Sequence, residues 1–220
     1  MEENKSLPVL SPEEIRVLGS LLEKSKTTPE YYPMTLNGLL TACNQKSSRK
    51  PVVQYDENQV IQVLDGLKKK GLISTVVGGG SRVTKYKHNL AIQFPLLPQE
   101  LAIICLLFLR GPLTAGEINS NSGRLYEFDN LDEVQELLQK LSVSEPLYIK
   151  QLSKRAGQKE VRYIHLFAEF DEESYEDEAP SSSSNSSNTA IMQLEEKVSQ
   201  LEEQLNTLRA EFDELMKQLS

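Results

Sequence analysis

The chain has 220 residues, 39% of them apolar and 25% charged, enough for two small globular cores and a tail. Its longest apolar run, residues 101–109, is less than half of the roughly 20 residues a membrane helix needs, and Glu2, Glu3, Asn4 and Lys5 stand where a secretory leader would be apolar; the expectation is a cytoplasmic protein with no membrane segment. The net charge of −8 divides unevenly: residues 1–170 hold 21 Lys/Arg and 19 Asp/Glu, residues 171–220 hold 3 and 13, so the acidity belongs to the tail.

Ser11-Pro12-Glu13-Glu14 reads as a helix start, with Ser11 as N-cap and Glu14 closing a capping box. Ile15, Leu18, Leu21 and Leu22 follow at helical spacing. Thr35 caps a short second helix through Leu36, Leu39, Leu40 and Cys43, and a polar basic loop with Lys46, Arg49 and Lys50 comes next. A third helix is expected from about residue 57 to 70, capped by Asp56, with Val60, Val63, Leu64 and Leu67 inward and Asn58, Gln62 and Lys69 outward. Gly71 then turns the chain into a hairpin of residues 72–77 and 83–90 whose glycine-rich tip ends on Arg82 and whose return strand carries Lys85.

The same order then starts again. Pro98 opens a first helix that is apolar on most sides, which predicts burial against the other copy or a dimer partner. Thr114 caps a second helix, Val134, Leu137, Leu138 and Leu141 line a third, and residues 147–152 and 160–167 form a second hairpin with Lys154, Arg155 and Lys159 at its tip. The third helix of this copy is acidic, with Asp132, Glu133 and Glu136, and suits a groove in DNA poorly. Tyr86 and His88 of the first hairpin match Tyr163 and His165 of the second, and Leu90 matches Phe167. A duplicated unit explains the coincidence.

Beyond residue 170 an acidic and Ser/Asn-rich stretch cannot build a core. From there a heptad places Ile191, Val198, Leu205, Phe212 and Leu219 at a, and Leu194, Leu201, Leu208 and Leu215 at d. The β-branched early a positions with Leu at every d favour a parallel two-stranded coil, although antiparallel pairing or a helix folded back on its own chain remains open.

The fold expected is α+β and mainly helical: two tandem winged helix-turn-helix domains (1–95 and 96–170), a linker (171–189) and a coiled-coil helix (190–220). Leu10 to Lys24, Tyr31 to Asn37, Ala42 to Arg49, Arg124-Leu125-Tyr126 and the segment from Gly157 to Leu166 resemble the YceH family of bacterial proteins. That resemblance implies tandem winged helices followed by a variable linker and a heptad tail; it supplies no catalytic residue, cofactor or DNA site.

The two histidines each sit between an aromatic and an apolar residue on one strand face, so packed structural roles are expected over metal binding or a pH switch. Cys43 and Cys105 lie in apolar helices without a CxxC pair and read as buried free thiols. No metal, cofactor or catalytic constellation is expected. Lys46, Arg49, Lys50, Asn58, Gln62, Lys69, Arg82, Lys85, Lys154, Arg155 and Lys159 are the candidate contacts to double-stranded DNA, Asn and Gln for adenine and the cations for guanine or phosphate. The two functional classes that follow are a homodimeric DNA-binding regulator and a protein-interaction adaptor of the kind tandem winged helices form in chromosome-segregation complexes.

Overall fold

The computed structural model describes residues 6–77, 83–154 and 160–170. All of these belong to one unit of α+β type, with helices and small antiparallel sheets. The first half runs α1 (Pro12–Thr27), a 3-10 turn (Pro29–Tyr31), β1 (Met34–Thr35), α2 (Leu36–Cys43), α3 (Glu57–Lys69), β2 (Ile73–Val77), β3 (Thr84–His88) and a one-turn α4 (Leu90–Gln93). The second half runs α5 (Pro98–Arg110), α6 (Ala115–Ser122), α7 (Leu131–Val143), β4 (Ile149–Gln151) and β5 (Tyr163–His165). Among the described residues no helix is long and apolar enough to cross a membrane.

Local chemistry sets the helix starts. Ser11 Oγ accepts the Glu14 amide at 3.2 Å while the Glu14 carboxylate accepts the Ser11 amide at 2.9 Å. Asp56 and Gln59 close the same box at α3, and Thr114 and Glu117 at α6. Thr35 caps α2 through the Gly38 amide, and Asn130 caps α7 through Glu133. Each cap satisfies amides that the first helical turn leaves open. Gly71 ends the α3 segment at φ +72°, a backbone conformation glycine adopts without steric cost.

The two halves repeat each other down to strand register. Ile73 stands opposite His88, and Ile149 opposite His165. Thr75 pairs with Tyr86, and Gln151 with Tyr163. On the other side of the return strand Met34 pairs with Tyr86, and Leu113 makes a single antiparallel bridge to Tyr163. β1 is new relative to the sequence reading; two residues are too short to show a period. β4 and β5 are shorter than the strands expected, and Leu90 leaves the return strand to open α4. Leu90 and Phe167 are both fully buried nonetheless, so the match between them survives as packing.

What joins the halves is the contact between their first helices. Every residue from Glu100 to Leu109 is buried, as the apolar character of this helix predicted, and α1 buries Glu14 to Leu22. The partner surface is the other half. Gly19 and Cys105 occupy equivalent positions in α1 and α5, and the Cys105 thiol donates to the Gly19 carbonyl at 3.6 Å. A Cβ on Gly19 would lie 2.9 Å from Leu109 Cδ2 and 3.0 Å from Phe108 Cβ. Two backbone ties reinforce this contact: the Leu10 amide donates to Phe167 O at 2.7 Å, and the Lys50 amide to Leu109 O at 2.8 Å.

A branched side chain at Gly19 must push α1 and α5 apart. Gly19→Val is expected to cost about 1–3 kcal/mol, read as a lower urea midpoint, because overpacking exceeds the gain in helix propensity. An unchanged midpoint would mean that the helix crossing is looser than described.

Candidate nucleic-acid interface

α3 buries Val60, Leu64 and Leu67 and leaves Asn58, Gln59, Gln62, Asp65 and Lys69 exposed. Residues 58, 62, 65 and 69 follow one another at helical spacing, so three hydrogen-bonding or cationic side chains share one stripe with a single carboxylate between them. At the equivalent positions of α7 the chain places Asp132 for Asn58, Glu136 for Gln62 and Val143 for Lys69, all exposed. The same backbone therefore presents a stripe of no net charge in one half and an acidic one in the other.

The basic loop is placed differently from expectation. Arg49 was expected at the surface; its side chain has no exposure. The guanidinium meets Glu23 in two hydrogen bonds, at 2.6 and 3.0 Å, and also donates to the carbonyls of Ala42 and Ser48. Burial alone would raise the Glu23 carboxyl, but the hydrogen bonds and charge of Arg49 outweigh it and hold Glu23 below the usual carboxylate range. Arg16 ties both ends of the same loop, donating to Cys43 O and Pro51 O. Lys46 and Lys50 remain exposed on a loop strapped to α1 and α5. Of the candidate contacts in the first half, only Asn58, Gln62 and Lys69 are brought together on one element.

Lys85 is half-buried in β3 opposite Thr35, and no carboxylate among the described residues lies within ion-pair distance of it. Its counterpart Arg162 is held by Glu117 at 2.8 and 2.9 Å and donates to Pro112 O. Lys154 is exposed and lines a groove of about 590 Å³ beside α7, together with Gln135, Gln139, Gln151, Glu160 and Tyr163. Gln135 and Gln139 were missed at the sequence level, although their four-residue spacing puts them on one helix face; Gln139 stands at the position equivalent to Asp65, on the edge shared with the acidic stripe. Arg82, Arg155, Lys159 and all nine heptad positions from Ile191 to Leu219 lie outside the described residues.

Both histidines are packed as the sequence implied. His165 is buried and meets the Phe108 ring edge-on at a centroid distance of 4.8 Å. His88 sits near Tyr32, and its Nε2 lies 3.3 Å from Ser25 Oγ. The Ser25 hydroxyl donates its proton to Leu22 O, so His88 Nε2 must be the donor in that contact. Burial pushes both imidazoles down to about 4, helped at His88 by Lys26. The cysteines are buried free thiols, and burial pushes Cys43 up to about 11 and Cys105 up as well.

Arg49→Ala should unfold the protein more readily rather than selectively weaken a surface contact. Removing one partner of a buried pair costs about 3–5 kcal/mol. The loss is read from the urea midpoint without any ligand; a midpoint within experimental error of the unsubstituted chain would remove the structural role.

Below the ordinary histidine value of 6.5 the unfolded chain takes up protons at both imidazoles, while the folded chain does so only near 4. The stability this contributes is complete above pH 6.5 and lost as pH falls towards 4, on the order of 3 kcal/mol per histidine. Imidazole proton shifts should stay flat from pH 8 to 5. A midpoint near 6.5 for either ring would contradict its burial.

A family model described as "Protein of unknown function, DUF480" matches residues 10–158. A UPF0502 protein of Shewanella loihica is 43% identical over 94% of this chain and 98% of its own length. A UPF0502 protein of Pelobacter propionicus is 43% identical over 94% and 96% respectively. One from Opitutus terrae is 48% identical over 74% of this chain and 71% of its own length. The chain belongs to this family, DUF480 or UPF0502, which is the YceH family that its motifs resemble.

Proposed function

We propose that this protein is a non-enzymatic DNA-binding protein of the regulatory kind, built from two winged helix-turn-helix units and paired with a second copy through the heptads of residues 190–220. In such a unit the third helix enters the major groove and the hairpin touches the backbone. The repeated order of helix, short strand or bridge, helix, helix and hairpin supports that reading. One observation carries it: the exposed stripe of Asn58, Gln62 and Lys69 on α3, two amide side chains suited to adenine edges and a cation suited to guanine or phosphate. Lys46, Lys50 and Lys85 supply further charge in the first half, and Lys154 with Arg155 and Lys159 does so at the second hairpin. The burial of His165 and both cysteines, and the packing of half-buried His88, favour a non-catalytic role, since each is held in its neutral form.

In the second unit, exposed Asp132 and Glu136 favour a protein partner over DNA, which keeps an adaptor role as the alternative for that half. The amide-lined groove beside α7 would be its contact surface.

Titration of the full chain with duplex DNA over a salt series tests the proposal. The logarithm of the association constant should fall by roughly 3 to 4 per decade of salt for each chain, hence by about 7 for two chains per duplex, if Lys46, Lys50, Lys69 and Lys85 reach phosphate. Lys69→Ala should reduce that slope by about 1 per chain, while Asn58→Ala and Gln62→Ala should flatten the preference among sequences. Absence of duplex binding at low salt would leave the adaptor reading in its place.

A further inference from the structure

The two halves enclose a small polar recess where the ends of α1 and α5 meet the 44–51 loop and the segment after α6. It measures about 180 Å³. That is room for roughly six waters at ~30 Å³ each, hence for one compact oxyanion. Lys24 and Arg110, equivalent last-turn positions of the two first helices, both line it, and Arg124 completes a set of three cations. The only carboxylate on its wall is Glu23, which is paired with buried Arg49 at 2.6 Å and also with Lys24 at 3.1 Å, so that Arg110 and Arg124 are its cations without an ion-pair partner among the described residues. The C-terminal ends of α1 and α5 bring about half a negative charge each, which three cations exceed.

We propose that this recess binds a phosphoryl group, as inorganic phosphate or as the head of a phosphate monoester. Neither Arg110 nor Arg124 has an ion-pair partner among the described residues; Arg110 donates only to Ser48 Oγ, at 3.0 Å. Burial, and the charge of Arg49 behind it, lower the Arg110 guanidinium more than the nearby Glu23 and Glu117 carboxylates raise it. Hydroxyls stand beside the cations. Ser47 and Ser48 line the recess, and Ser48 is held at φ +58°, the one non-glycine residue with positive φ among those described. Thr27 lines it too, and its Oγ1 is buried with no hydrogen-bond partner. Guanidinium forks with short hydroxyl donors suit the several acceptor oxygens of a tetrahedral phosphoryl group. Three of the segments that carry the family resemblance converge here: Lys24 ends the first, Ser47 and Ser48 lie in the third, and Arg124 opens the fourth. Neither α3 nor the hairpins contribute, and although the 44–51 loop also carries Lys46 and Lys50, neither lysine lines the recess.

Thermal unfolding of the full chain in inorganic phosphate, against sodium chloride of equal ionic strength, tests it. The midpoint should rise with the logarithm of phosphate concentration above Kd, by about 5–10 °C at a hundredfold excess. Arg124 is exposed, so Arg124→Gln should fold normally and lose at least tenfold in phosphate affinity; Arg110→Gln should lose as much, with its unliganded midpoint recorded as the folding control. Glycerol phosphate and a short duplex distinguish the sources of the phosphoryl group. Saturation by the monoester marks a free phosphorylated compound, and competition by the duplex alone marks a nucleic-acid backbone. A rise no larger than in chloride, or wild-type phosphate affinity in Arg124→Gln, overturns the site.

Discussion

The close approach of α1 and α5 at Gly19 is the constraint on which the rest of the molecule depends. An apolar helix the length of α5 has no stable exposure to water, and a neighbouring helix can come near it only where a side chain is missing. Gly19 provides that gap, and the equivalent position in the other half, Cys105, fills it with a small polarisable atom. The halves thus meet through like surfaces and share a core. That shared core fixes where each third helix and hairpin is held.

Charge is used inside this protein as much as on it. Glu14 in α1 reaches Lys70 at 2.6 Å, and the equivalent Glu100 in α5 reaches Lys140 at 2.7 Å. The carboxylate keeps its place in both halves while the lysine comes from a different turn: Lys140 stands at the position equivalent to Gly66, over which Glu14 lies. Arg49 with Glu23 completes a pattern in which acid–base pairs join elements that apolar packing has already brought together. A census of lysines and arginines along the chain cannot separate these from the cations left facing solvent.

That limit explains which parts of the architecture were legible beforehand. Capping boxes, apolar spacing and the Tyr-x-His pair are local signals, so the helices, the hairpins and the duplication could be read from the chain alone. The inward packing of His88 and His165 followed from strand alternation, which is local too. Arg49 could not be placed in this way. Its partner Glu23 lies 26 residues earlier, and a Ser-Ser-Arg-Lys loop looks the same whether it is strapped down or free. β1 escaped because two residues carry no period. The recess at the ends of α1 and α5 draws its residues from four separated segments, none of which forms a motif by itself.

Lys85 and Arg162 hold equivalent places on the two return strands, yet only Arg162 is occupied internally. The difference lies on the facing helix, where the second half has Glu117 and the first half has Gly38 at the third helical position. A cation thus stands without an internal partner where glycine takes the place that the other half gives to an acid, with no change of its own. Divergence between duplicated copies can proceed by such withdrawals: one helix position decides whether a strand's positive charge braces the fold or is released for an external anion.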